Sequence, residues 1–176
     1  MKILVVAVAV GVSTFAGISG VSAQKLANSG FDKNKVEKFI SQANDFAAGG
    51  EEISPKALKS FAKMYKNVSA EKWSKISNGF SASFLTDGKK ETVFFSSKGS
   101  WYGSVTSYTE DKLPEDVRNI VKSKYFDYSI FFVEEVETVE SNGVPTYLIH
   151  LEDKHNIKLV RVSDGDMEAW KEYVKS

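Results

Sequence analysis

Three stretches of the chain carry apolar residues at helical spacing, and eight shorter ones read as strands bounded by turn residues. The first helical stripe is Val36, Phe39, Ile40, Ala43 and Phe46 or Ala47, with Asp32 as its cap and Gly49-Gly50 as its stop. A second helix opens at Ser54-Pro55, a capping hydroxyl followed by a proline whose missing N–H costs nothing there. Its apolar face is Leu58, Phe61, Ala62 and Tyr65. A third opens at Pro114, with Glu115 and Asp116 favourable in the first turn and Val117, Ile120, Val121 and Tyr125 as its face. The two proline-led helices stand at a constant offset of 59 positions.

Four strand-like segments follow each proline-led helix: 72–77, 80–85, 91–96 and 100–108, then 130–140, 146–152, 157–163 and 166–174. Asn78-Gly79, Asp87-Gly88, Asn142-Gly143 and Asp164-Gly165 are hairpin signals. The pattern predicts an α+β fold of two tandem repeats, each a helix plus an antiparallel four-strand meander, preceded by an N-terminal amphipathic helix. The boundaries are 24–50 for that helix, 51–109 for the first repeat and 110–176 for the second.

Parity sets the register of the first hairpins. Across Asp87-Gly88, Ala82 faces Val93 and Phe80 faces Phe95. A three-residue loop at Ser97-Lys98-Gly99 then sets Phe95 opposite Trp101. This puts Phe80, Ala82, Val93, Phe95, Trp101 and Val105 in the core. It leaves Phe94 and Tyr102 as an aromatic pair on the other face, among Ser81, Ser83, Thr92 and Ser104. That pair is the candidate interaction surface, because aromatic side chains dominate binding hot spots. The first helical stripe is a competing cover for it. In the second half, Val160 and Val162 compete with Leu159 for the core, and pattern alone leaves both arrangements open.

The extreme N-terminus changes the picture. Lys2 is followed by an apolar run from Ile3 to Val12, and small residues close the segment at Ser22-Ala23. Charged start, apolar centre and small-residue exit make residues 1–23 a cleavable signal peptide rather than an anchor helix. The mature chain is then periplasmic or secreted, with no membrane insertion after cleavage. It has no cysteine, so neither a lipid-bearing cysteine nor a disulfide is available, and its aromatic-rich core must suffice.

Charge excludes one partner class. Lysine plus arginine and aspartate plus glutamate both number 23, whereas nucleic-acid binders carry a basic surplus. Residues 24–101 hold 13 basic and 8 acidic residues, and residues 102–176 hold 9 and 15, an asymmetry that reads first as attraction between two halves of one fold.

Catalytic chemistry is not visible. His150 lies in an alternating strand and His155 in a polar turn, without a cysteine or carboxylate set to complete a metal site. The Asp164-Gly165-Asp166-Met167-Glu168 segment reads as a turn rather than a calcium loop. Glu134, Glu135 and Glu137 alternate with valines and read as the solvated acidic edge of a strand. No Gly-x-Ser-x-Gly elbow or phosphate loop is present. Neither enzyme activity nor a cofactor is expected.

Three segments share a texture of aromatics and turns. They are Gly79-Phe80-Ser81-Ala82-Ser83-Phe84, Phe94-Phe95 ahead of Ser-Ser-Lys-Gly-Ser-Trp, and Leu113-Pro114-Glu115-Asp116-Val117 leading to Lys124-Tyr125-Phe126-Asp127-Tyr128. Over about residues 33–176 the chain resembles the PepSY-like, or beta-lactamase-inhibitor-like, family of exported proteins from the Bacteroidota. The resemblance implies a tandem α+β architecture outside the cytosol and no established reaction. The expected function is a non-catalytic exported binding module with a protein or peptide partner. An inhibitor or regulator of an exported enzyme, and a passive envelope component, are the alternatives.

Processing is directly measurable. Mass spectrometry of the exported protein should find a chain that begins at Gln24; a full-length, membrane-embedded product would refute the signal peptide.

Overall fold

The computed structural model describes residues 53–68 and 70–175. The expected signal peptide and the amphipathic helix at 24–50 lie outside the described residues. Helix α1 spans Pro55–Met64 and is followed by strands β1 (Lys72–Ile76), β2 (Gly79–Thr86), β3 (Lys89–Ser96) and β4 (Trp101–Tyr108). A short 3-10 turn at Glu110–Lys112 leads into helix α2 (Glu115–Lys124), then β5 (Ser129–Thr138), β6 (Thr146–Glu152), β7 (Asn156–Ser163) and β8 (Asp166–Val174).

All eight strands form one antiparallel sheet in the order β1 to β8. This corrects the expectation of two tandem helix-plus-meander repeats behind an N-terminal helix. Strands β4 and β5 pair from Gly103↔Thr138 to Tyr108↔Val133, so the two four-strand runs are hydrogen-bonded into a single sheet. Two separate meanders would leave two further edges of unpaired N–H and C=O groups, and this pairing removes both. The described helices are two, of ten residues each, so the fold is sheet-dominated. The expected acidic edge is corrected for the same reason: β5 is an interior strand, bonded to β4 and β6.

Tight turns hold the hairpins. Asp87-Gly88 and Asp164-Gly165 each place two residues at positive φ (50° and 76°, 52° and 78°), the backbone of a two-residue hairpin turn. The latter turn occupies the segment weighed as a calcium loop.

Both helices pack on the same face of the sheet. From α1, Ala57 and Phe61 meet Ala82, Phe84, Val93 and Phe95. The Phe61 ring is the hub, with centroids 5.1 Å from Tyr65, 5.3 Å from Trp73 and 5.4 Å from Phe84. The buried line is therefore Ala57–Phe61, while Leu58 is 42% exposed. The expected stripe is rolled because α1 starts directly against the β3–β4 loop. A Cβ on Gly99 would stand 2.6 Å from Lys56 Cβ and 2.7 Å from the Ala57 nitrogen. Helix α2 sets Val117 and Val121 on Val133, Ile149, Leu151, Val160 and Val162. This resolves the open choice in the second half: Val160 and Val162 are core, and Leu159 faces the other way.

Three strands carry β-bulges. Phe95 pairs with Trp101 but Phe94 pairs with Gly103, so Tyr102 is an extra residue. Likewise Ile130↔Leu151 is followed by Phe132↔His150, leaving Phe131 extra. On β8, Val160↔Ala169 and Leu159↔Lys171 leave Trp170 extra. The β4 bulge shifts parity by one beyond Tyr102. Val105, expected beside Phe95 in the core, therefore lies on the opposite face between Thr92 and Val136, and Ser104 takes the helix side.

Gly99→Ala tests the helix–loop contact. At φ 82° an L side chain costs roughly 1–2 kcal/mol, and the collision with α1 backbone adds to it. Urea unfolding should show a loss above about 2 kcal/mol, against about 1 kcal/mol for Gly143→Ala, whose surroundings are open at φ 80°. Equal losses would disprove the close packing.

Candidate functional site: the sheet face away from the helices

Strand alternation sends every second residue to the face opposite α1 and α2. Its centre holds Phe94 and Leu148, fully buried, with Val105 1% and Val136 2% exposed. Beside them, Ser81 and Thr92 are also buried, and the Thr92 hydroxyl lies 3.3 Å from Ser83 Oγ, donating to it.

Phe94 and Tyr102 stand on this face with ring centroids 6.0 Å apart, tilted by 41°. They are not directly opposed: Phe94 faces Gly103, and Tyr102 reaches its ring from the bulge. Phe94 has no exposed surface, and burial raises the Tyr102 hydroxyl pKa above its ordinary value.

Towards β8 the face turns polar and then aromatic. His150 Nε2 lies 3.2 Å from a carboxylate oxygen of Glu134, which is 5% exposed. The imidazole sits 5.8 Å from the Phe131 ring and 5.4 Å from the Phe132 ring, edge to face with both. Arg161 donates to Glu168 at 3.4 Å. Phe131 is 40% exposed and Tyr173 50% exposed. Register places Tyr173 on this face through Glu152↔Ile157↔Tyr173. His155 is elsewhere, in the β6–β7 turn, so the two histidines do not converge.

Sequence reasoning missed a cluster on the helix side. Tyr65 donates its hydroxyl to Glu91 at 2.7 Å, and Tyr108 donates to Glu135 at 2.6 Å. Burial raises the Glu91 carboxyl while the Tyr65 hydroxyl opposes the shift; burial, then the Glu135 charge, raises Glu137. Burial, with Glu135 nearby, pushes Tyr147 up to about 12. Carboxylates of β3 and β5 converge here only because β4 pairs with β5, which local pattern does not encode.

A shallow polar depression of about 460 Å³ lies beside the β6–β7 turn, lined among others by Asp127, Glu152, Asp153, His155 and Lys175. Backbone N–H groups of His155 and Asn156 donate to Asp153 at 2.7 and 2.6 Å and hold its carboxyl down at about 2. Lys175 donates to Glu152 at 2.8 Å, which pairs these opposite charges within the depression. Among the described residues, no group of three histidine, aspartate or glutamate side chains is placed to hold a metal ion. No described helix is long and apolar enough to cross a membrane.

The fold of the described residues, an eight-stranded antiparallel sheet with two short helices on one face, is similar to that of solved structures from Bacteroides. A DUF2874 family protein from Bacteroides ovatus superposes with a TM-score of 0.58 at 21% identity, over 71% of this chain and 89% of that one. A BLIP-like protein from Bacteroides fragilis gives 0.59 at 20% identity, over 72% and 89%. A protein from Bacteroides eggerthii, named as periplasmic, gives 0.56 at 19%, over 70% and 90%. At these identities the likeness is one of fold; it supports the BLIP-like part of the expected resemblance and does not bear on the PepSY-like part. No family model and no curated protein matches the chain.

The carboxylate cluster sets a pH dependence. A carboxyl whose folded pKa is raised binds its proton more tightly in the folded chain, so stability increases as pH falls through that raised value towards the ordinary 4.5. Thermal unfolding should move to higher temperature between about pH 7.5 and about pH 5. Glu91→Gln with Glu137→Gln should raise the melting temperature at the upper pH and flatten the trend. An unchanged slope would show that the cluster is not responsible.

Proposed function

We propose that the protein is an exported, non-catalytic binding module of the bacterial periplasm. A protein or peptide partner docks on the sheet face away from the helices. The observation that carries this reading is the trio of bulges, each of which inserts an aromatic residue: Tyr102, Phe131 and Trp170. The Tyr102 ring lies tilted beside Phe94 and Phe131 lies edge to face with His150, which sets two of the three on this face. Bulges re-aim side chains at functional surfaces, and aromatic anchors supply most hot-spot energy. Phe131 and Tyr173 are the exposed part of this surface, while Phe94, beside Tyr102, is buried beneath it.

Export is supported by the signal peptide expected from the sequence of residues 1–23 and by the periplasmic name of the Bacteroides eggerthii structure. A narrower version, regulation or inhibition of an exported enzyme, is favoured by the BLIP-like name of the Bacteroides fragilis structure. The PepSY-like kinship implied by the sequence texture agrees with either version. A passive envelope component would have no specific partner, and this separates it from both.

Phe131→Ser with Tyr173→Ser removes the exposed aromatics without opening the core. Affinity-purified mature protein should retain at least tenfold less of its co-purifying exported partner than wild type, with the melting temperature nearly unchanged. Equal recovery would refute docking on this face.

A further inference from the structure

We infer that the seam between α1 and α2, on the helix side of the sheet, binds a primary ammonium group such as the end of a lysine side chain. The site lies on the opposite face from the docking surface and does not depend on that reading.

Strand pairing builds the seam. The residues that β4 turns towards the helices here are short, Ser104 and Thr106. Thr106 is opposed by Glu91 on β3 and by Glu135 on β5, and Ser104 by Val93 and Glu137. Strands about 4.8 Å apart set the Glu91 and Glu135 backbones about 10 Å from each other. Glu137 follows Glu135 by two residues, about 7 Å along the same strand. Small hydroxyl side chains therefore form a floor, and three carboxylates stand round it. Tyr65 of α1 borders it on one side, and Tyr147, within reach of the Asp116 charge on α2, borders it on the other.

The carboxylates have acceptor capacity to spare. Tyr65 donates to Glu91 Oε1 and Tyr108 to Glu135 Oε2, which leaves one oxygen of each for another donor. Glu137 is acted on by burial and by the Glu135 charge, without a hydrogen bond. The Tyr65 hydroxyl feels Glu137 as well as Glu91, so the groups converge. Lys89 is the cation among the charges acting on Glu91, and its ammonium stands 4.5 Å over the Tyr108 ring. One cation faces three carboxylates.

A second observation comes from the floor. Ser104 is 5% exposed, and its hydroxyl has no hydrogen-bond partner among the described residues. A hydroxyl set so deep costs free energy unless a group pairs with it. Register places it between Val93 and Glu137, under the space that the carboxylates surround.

The arrangement selects an ammonium among cations. An ammonium brings three donors and no acceptor. Two charge-assisted contacts of about 2.8 Å on opposite sides of one nitrogen span about 5.6 Å, which fits inside the gap across Thr106. A planar guanidinium favours both oxygens of one carboxylate, and tyrosines already hold an oxygen of Glu91 and of Glu135. Among the described residues, no group of three histidine, aspartate or glutamate side chains is placed to hold a metal ion. The Tyr65 and Tyr108 rings add faces that attract a cation.

Binding must weaken as pH falls. Burial raises the Glu91 and Glu137 carboxyls, so they take up protons first and lose their attraction for a cation. Burial also raises Tyr65, Tyr108 and Tyr147, which stay protonated as donors. The charge facing the ligand is then set by Glu91, Glu135, Glu137, Asp116 and Lys89.

The test titrates the isotope-labelled mature chain with butylammonium and with a capped pentapeptide that carries one central lysine. Both should shift the amide signals of Ser104, Thr106 and Glu137, while butanol, of similar size and uncharged, should shift none. Affinity should fall at least fivefold between about pH 7.5 and about pH 5. It should also fall at least fivefold in Glu91→Gln with Glu137→Gln, the variant expected to melt higher, so lost binding cannot be unfolding. Binding of the peptide at least tenfold tighter than butylammonium assigns the ammonium to a lysine of a protein or peptide; equal affinities assign it to a free amine. Absence of a shift at the seam with either probe would overturn the inference, as would unchanged affinity in the double variant. Shifts spread evenly over exposed carboxylates such as Asp87 and Asp164 would overturn it too, since they report ion pairing at large. No arm reads partner recovery, so failure here is distinct from failure of the docking reading.

Discussion

The pairing of β4 with β5 is the constraint on which the rest of the structure depends. Six other strand pairs are hairpins closed by short loops, and each could form from local chain alone. Only Tyr108↔Val133 and its neighbours join strands separated by a helix. This pairing merges two four-strand runs into one platform. It also leaves α1 and α2 on a common face of that sheet.

The same pairing explains the half-buried charge. Glu91, Glu135 and Glu137 meet across β3, β4 and β5, capped by the Tyr65 and Tyr108 hydroxyls. Ionised carboxyls this close repel, so the seam stabilises least when fully charged. Its tyrosine donors satisfy individual oxygens, and Lys89 sits 4.5 Å over the Tyr108 ring as a nearby cation. The cluster marks where the two helix-covered cores adjoin, which is a structural reason for its partial burial.

Much of the local structure was legible. The Asp87-Gly88 turn and the Ser97-Lys98-Gly99 loop set the hairpin registers, so Phe80↔Phe95, Ala82↔Val93 and Phe95↔Trp101 follow from parity. What escaped was whatever depends on a third body. Helix α1 is rolled by Gly99, which reaches it from a distant loop, so the Leu58 stripe misled. Val105 and Ser104 exchanged faces because the bulge at Tyr102 adds one residue; Gly103, a glycine inside a strand, was the available signal. Glu135 and Glu137 looked solvated because nothing local reveals that their strand is internal. Of the candidate pair, Phe94 and Tyr102 share the face away from the helices, but Phe94 is fully buried there, and the exposed aromatics at Phe131 and Tyr173 were overlooked. The bulge at Phe131 carries no glycine to announce it.

The strand order has a consequence for how the molecule acquires its shape. Each strand pairs with its neighbour in sequence, so a nascent chain emerging N-terminus first always finds the next strand's partner already present. Closing a two-residue hairpin loop costs little entropy, while joining β4 to β5 must close residues 109–132, and that cost grows only with the logarithm of loop length. Assembly can therefore advance strand by strand with one slower step at the middle. That order keeps each strand pairing between neighbours along the chain and leaves little time in which a bare strand edge is offered to another chain.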